Sequence, residues 1–211
     1  MPARAPDPSA GAFAGKRFVI ATAAASFLLA SAAALVIAPA FMPESYSWVV
    51  HTTSESAAQG VGSAWIARLG FVTFGLAVIL LISGTSNSWS LVGRVAHAMF
   101  GVLMIAAAVF SHRPWEPEAP FSETEDLLHS IAATGMGFAF AIGVVVVMLG
   151  RKNVLRTVWL ADIVAVVASV VIPLAMMNLA DFTGLFQRVM FAIAYGWHGM
   201  EIVRRIRNGK A

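Results

Sequence analysis

In this chain of 211 residues only 12% are charged while 59% are hydrophobic, and the mean hydropathy is +0.78, so a soluble domain of this length would lack the polar surface to cover itself. The net charge of +3 and the pI near 9.8 reflect how charges are sorted between apolar runs, and nucleic-acid binding has no support. Cysteine is absent, which excludes disulfides, thiolate metal sites and cysteine nucleophiles.

Residues 1–15, with Pro2, Pro6 and Pro8 among several alanines and glycines, read as a disordered N-terminal tail. The first apolar run, about 17–41, follows Lys16 and Arg17 and outlasts the roughly 7 to 15 residues of a signal-peptide core, so an uncleaved span is expected rather than a removed leader. Further runs fall at about 64–84, 91–111, 127–150, 157–180 and 183–203. Each has about the 20 residues that a helix rising ~1.5 Å per residue needs to cross a hydrocarbon layer ~30 Å thick. Apolar residues run continuously in them, without the period of two that barrel strands require. The expected fold class is therefore all-α, a polytopic bundle of six transmembrane helices over 16–207 with a C-terminal tail at 208–211.

Orientation follows from lysine and arginine, which resist translocation near span ends. Arg4, Lys16, Arg17, Arg94, Arg151, Lys152, Arg156, Arg204, Arg205, Arg207 and Lys210 fall on one side; only Arg68, Arg113 and Arg188 fall on the other. Glu44, Glu55, Glu116, Glu118, Glu123, Glu125, Asp126 and Asp181 share that second side, leaving Asp7, Asp162 and Glu201 with the basic set. Both termini are expected to be cytoplasmic, in a bacterial inner membrane.

The outer connections hold unusual chemistry. Residues 42–63, with Trp65 just beyond, carry Tyr46, Trp48 and His51, an amphipathic aromatic set suited to the headgroup layer. In 111–128, Pro114, Pro117 and Pro120 forbid helix until Ser122 and Glu125 supply a capping-box pattern, so the fourth helix should open near Glu123. Glu125 and Asp126 then face the positive end of its dipole, and both lie within one turn of His129. They either only cap the helix or hold the imidazole as an acid/base or binding site would need.

Arg68 and Arg188 lie ~6 to 8 Å below the outer boundary at ~1.5 Å per residue, where they either snorkel or, with His129, Asp181, Gln187 and the acids, line an outward polar pocket for a phosphate or carboxylate. Pro173 should kink the fifth span beside an inward-facing Asn178.

Counted from the inner ends, His97, Asp162 and His198 fall ~7 to 9 Å deep on three different spans. Ionisable groups in hydrocarbon normally face the bundle interior and pair there, so a hydrogen bond from Asp162 to one of the histidines is the plainer account. His97 and His198 are also what axial ligation of a b-type haem would use, an alternative for which a second matched pair is missing. Gly135, Ala139 and Gly143 form a small-residue ridge on the fourth span that permits close helix contact. There is no HExxH, G-x-S-x-G, P-loop or Cys/His metal spacing, so no recognisable catalytic motif.

Three stretches carry a resemblance: AVFSHRPW, FSETEDLLHSIAATGMGFAFAIGV and GLFQRVMFAIAYGWHGMEIVRR. They resemble the bacterial six-helix membrane family catalogued as domain of unknown function nine-nine-eight, over nearly the whole chain from Arg17 to Arg207. The family's Phe and acid after the third span correspond to Phe121 and Asp126, its His to His129, and its run opening the last span to Gly184, Leu185, Phe186, Gln187 and Arg188. Its compact Phe-Pro-x-Asp run is absent here, because Phe110 is followed by SHRPWEPEAP. The resemblance implies six helices and an outward polar cluster, with no established activity. The sequence thus points to a membrane protein without a predicted cofactor that binds an anionic or amphiphilic small molecule such as a lipid headgroup. A b-haem electron-transfer protein and an accessory subunit of a membrane complex are the alternatives.

Overall fold

The computed structural model describes residues 8–85, 88–152 and 155–208, and these are helical with short 3-10 turns and no strand among them. Six long helices follow in order: α1 Pro8–Ile37, α2 Ala64–Ser83, α3 Leu91–Val109, α4 Glu123–Gly150, α5 Arg156–Asn178 and α6 Thr183–Asn208. The chain is an all-α bundle in which the first five helices are long and apolar enough to cross a membrane. Six were expected to be. The sixth has the length but carries Gln187, Arg188, His198, Glu201 and Arg204 along it, so its composition is that of a helix with a polar task.

Helix limits follow local chemistry. α1 reaches back to Pro8, so part of the expected tail is helical, while residues 1–7 and 209–211 of the two expected tails lie outside the described residues. It ends at Ile37 because Pro39 cannot donate to the helix, and the chain tightens into a 3-10 turn at Ala38–Phe41. α4 opens at Glu123, with Ser122 Oγ accepting from the Glu125 N–H at 3.4 Å. The return half of the capping box is missing, since the Ser122 N–H donates to Gln59 instead, at 2.7 Å.

Each helix packs on its neighbours in sequence, and α1 packs on α6, so the six close a ring in chain order. Phe71, Phe74, Phe100, Phe140, Phe191 and Trp197 fill its interior, all of them buried. Outside, Val164, Val167, Val170, Val171, Leu174 and Met177 of α5 are exposed, the arrangement of a protein whose solvent is hydrocarbon.

Small residues set the closest approaches. A Cβ on Gly75 of α2 would stand 2.5 Å from the Gly101 carbonyl oxygen of α3. The ridge on α4 faces α3: Leu103 lies over Gly135 and the imidazole of His97 over Gly143. Ser31 of α1 joins the ring closure, donating to the Gly70 carbonyl at 2.6 Å and sharing a hydrogen bond with the Tyr195 hydroxyl of α6 at 2.5 Å.

Candidate functional site

The connections 42–63, 110–122 and 179–182 pack together at one end of the ring, which holds most of the acids. Gly184 and Leu185 N–H donate to the Val50 and Val49 carbonyls at 3.0 and 2.9 Å, and Gln59 N–H donates to the His112 carbonyl at 2.9 Å. The rings of Tyr46, His51 and Trp115 meet with centroids 5.2 to 5.4 Å apart, so these aromatics bind two connections to each other. Tyr46 and His51 belong to the aromatic set expected in the headgroup layer, whose other members Trp48 and Trp65 are exposed.

Seven residues were expected to line one outer pocket, and the structure gives them different hydrogen-bond partners. Glu125, Asp126 and His129 sit where α3 hands over to α4. His129 is buried, and its Nδ1–H faces the Ala107 and Phe110 carbonyls at 3.0 and 2.9 Å, closing the end of α3. Glu125 accepts from the Ser111 N–H at 3.4 Å and Asp126 from the Arg113 N–H at 2.9 Å. Neither carboxylate touches His129; the ring nearest to it is that of His112, edge-on with centroids 5.2 Å apart.

Arg68, Gln187 and Arg188 instead hold the 42–63 connection. Arg68 donates through Nε and Nη2 to the Ala57 and Ala58 carbonyls at 3.1 and 3.0 Å. Gln187 accepts from the Ser54 N–H and donates to its hydroxyl. Arg188 donates through Nη1 to the Trp48, His51 and Gly184 carbonyls at 2.6, 2.9 and 3.0 Å, and through Nη2 to the Tyr46 hydroxyl at 2.7 Å. A side chain at Gly184 would collide with the His51 and Trp48 carbonyl oxygens, so glycine is required there. Asp181 is exposed in the 3-10 turn Ala180–Phe182.

Arg188 differs from Arg68 in its surroundings. It lines a cleft of about 500 Å³ between α1 and α6 whose other walls include Ala32, Leu35, Val36, Trp48, Phe191 and Tyr195. Its guanidinium stands 6.0 Å from the Trp48 ring, and no carboxylate is ion-paired with it among the described residues. Its hydrogen bonds leave Nε–H and one hydrogen of Nη2 uncommitted. Asn178, expected to turn inward near here, is exposed and donates back to the Leu174 carbonyl.

At the opposite, basic end the three inner candidates converge. His97, Asp162 and His198 are fully buried, with the two imidazoles edge to face, centroids 5.4 Å apart at 85°. The expected Asp162–histidine hydrogen bond is not made. Asp162 accepts from Trp197 Nε1 at 2.8 Å and from Arg151 Nη1 at 2.9 Å, the second a charged donor stronger than a neutral imidazole, and Trp197 stacks on His97 at 4.8 Å. Arg151 reaches in from the α4–α5 connection and also binds Glu201 at 2.6 Å, which Arg204 meets from its other side at 2.8 Å. Burial pulls the Arg151 guanidinium below its ordinary pKa, opposed by Glu201 and Asp162. His198 Nδ1–H donates to the Ala194 carbonyl at 2.9 Å, while its Nε2 and both ring nitrogens of His97 have no hydrogen-bond partner.

Two imidazoles ligating a haem face each other across the macrocycle. Here Trp197 lies against His97, while Phe100 and Phe140 stand 5.1 and 5.5 Å from His198, and side chains fill the space a porphyrin would occupy. The pair does not fit that group. Among the described residues no three His, Asp or Glu side chains gather as a metal-ligand set.

Arg151, Trp197 and Glu201 belong to this network although sequence reasoning did not single them out. Glu201 sits one turn after His198 and one turn before Arg204, a helical spacing that could have drawn attention to it. A family described as "Protein of unknown function (DUF998)" matches residues 23–203. No curated protein and no solved structure matches the chain.

Proposed function

The chain belongs to the DUF998 family of proteins of unknown function, and from that premise we propose that it binds an anionic amphiphile in the cleft between α1 and α6 at the acidic end. In this reading all six helices cross a bacterial cytoplasmic membrane, both termini are cytoplasmic and the acidic end faces outward. The basic residues gathered at the other end favour that orientation. α6 crosses although polar, because its ionisable groups are turned to partners within the ring.

The observation that carries the proposal is Arg188. It is the charged head of a mostly apolar cleft, with no carboxylate among the described residues to neutralise it and two N–H groups free for a phosphate or carboxylate. Leu35, Val36 and Phe191 offer the acyl chain a wall continuous with the lipid. The other outer candidates contribute indirectly: Arg68, Gln187 and Gly184 fix the connection whose carbonyls hold Arg188 in place. Glu125, Asp126 and His129 tie the second connection to the first.

The test is binding of labelled dioleoyl phosphatidic acid to purified protein, with dioleoyl glycerol as the uncharged control. Arg188→Gln should weaken phosphatidic acid binding about tenfold, the value of a charge-assisted hydrogen bond, and leave the glycerol lipid unaffected. Ala192→Trp, which fills the cleft while keeping Arg188, should weaken both. Equal affinity for the two lipids in the unmodified protein refutes the reading.

A further inference from the structure

We infer that the cleft between α5 and α6 at the basic end seats the phosphate headgroup of an anionic phospholipid, held by Lys152, Arg204 and Arg207. The cleft measures about 580 Å³, and Leu155, Val158 and Met200 give it an apolar wall. It lies at the other end of the bundle from Arg188 and on the opposite flank of α6.

Two residues adjacent in sequence divide the labour. Arg151 turns inward and is neutralised by Asp162 and Glu201 at 2.9 and 2.6 Å, whereas Lys152 is exposed, lines the cleft and has no ion-pair partner among the described residues. Arg207 is in the same position. Arg204 is shared: it meets Glu201 at 2.8 Å, yet 36% of its side chain is exposed and it lines the cleft. Glu201 therefore divides one negative charge between two guanidiniums, and the cleft is left with a positive excess. α5 begins beside it with no side-chain cap on its first turn, so the positive end of that helix dipole adds to the excess.

Cations over an apolar wall, at the level where the spans end, match a phosphate carried on acyl chains. A free anion would gain nothing from Leu155, Val158 and Met200. Through Arg204 the headgroup also touches the buried network, because a phosphate drawing on that guanidinium competes with Glu201.

The experiment reconstitutes the full chain in phosphatidylcholine vesicles with spin-labelled phosphatidylglycerol and measures its preference at the protein surface against spin-labelled phosphatidylcholine. Each cation near a charged leaflet is worth about fivefold in affinity, so the double variant Lys152→Gln/Arg207→Gln should lose roughly tenfold or more of the preference. Lys152→Arg/Arg207→Lys should keep it. Both positions are exposed, and an unchanged Tm shows that either variant is folded. All of these comparisons are made in an Arg188→Gln background, so the preference that remains reports the basic end alone, and failure at this site and failure at the acidic-end cleft are told apart. An undiminished preference in the Gln double variant overturns the inference. So does displacement of the labelled lipid by millimolar inorganic phosphate alone, which would assign the site to a free anion.

Discussion

The imidazole of His97 lies directly against Gly143 on the neighbouring helix, where a Cβ would stand 2.7 Å from Nε2. Glycine here lets α4 approach α3 closely enough to bury the ring and hold it flat against Trp197. Gly143→Ala should cost about 1–3 kcal/mol, the range for overpacking a filled core, read as a lower midpoint in denaturant. His97→Ala should remove most of that cost in the double variant. Simple additivity of the two changes would show that the contact does not limit packing.

The ion-paired network gives a second expectation. Glu201→Gln leaves Arg151 with Asp162 alone and Arg204 with no acid, and loss of one partner of a buried pair costs roughly 3–5 kcal/mol. Denaturant unfolding in detergent measures it. A change under 1 kcal/mol, the range of surface ion pairs, would mean that the network is hydrated.

Alkaline pH should act through Tyr46. Burial raises this hydroxyl above its usual pKa of 10.0, with the charge of Arg188 opposing, and its proton is donated to the Thr52 carbonyl at 2.9 Å. The unfolded chain then gives up the phenolic proton first. The stabilisation is complete below the ordinary tyrosine value and is lost as pH rises through the raised folded value. Tyr46→Phe should flatten the alkaline limb of stability against pH, and parallel curves for the two proteins would exclude the effect.

Gln59 rivets the two long connections. Its amide donates to the Ser111 and Ser122 carbonyls at 2.9 and 3.1 Å and accepts from the Ser122 N–H at 2.7 Å. Gln59→Leu keeps the bulk and strands these backbone groups, at about 1–3 kcal/mol for each one left buried. Hydrogen exchange at Ser122 should rise sharply while α2 and α3 stay protected; unchanged exchange would assign the rivet elsewhere.

The helices were legible because a span announces itself by length and continuous apolarity. Depth was equally legible: His97, Asp162 and His198 share a level because a helix rises by a fixed step, so counting from the run ends places them. What counting cannot supply is azimuth and the path of a connection. Arg151 looked like one of many charges marking the inner side, and nothing in its local sequence says that it turns inward to Asp162 and Glu201. Asp162 consequently found a guanidinium and an indole instead of an imidazole. At the acidic end the partners of Arg68 and His129 were illegible for a related reason. Depth does not say that each of them bonds a backbone carbonyl, and the docking of residues 42–63 onto 110–122 through Gln59 joins positions far apart in sequence that share no motif.

The closed ring orders the birth of the protein. Each helix from α2 to α5 meets a neighbour already synthesised on one side only, whereas α6 arrives between two, α5 and α1, and seals the circle. It is also the least greasy of the six, and its Trp197 and Glu201 find Asp162 and Arg151 already waiting in the nascent chain. A ribosome that stopped before Thr183 would release an open crescent whose seam holds an arginine and an aspartate paired only with each other, without the glutamate and indole that complete them, so the final helix works as a keystone that only the finished arch can retain.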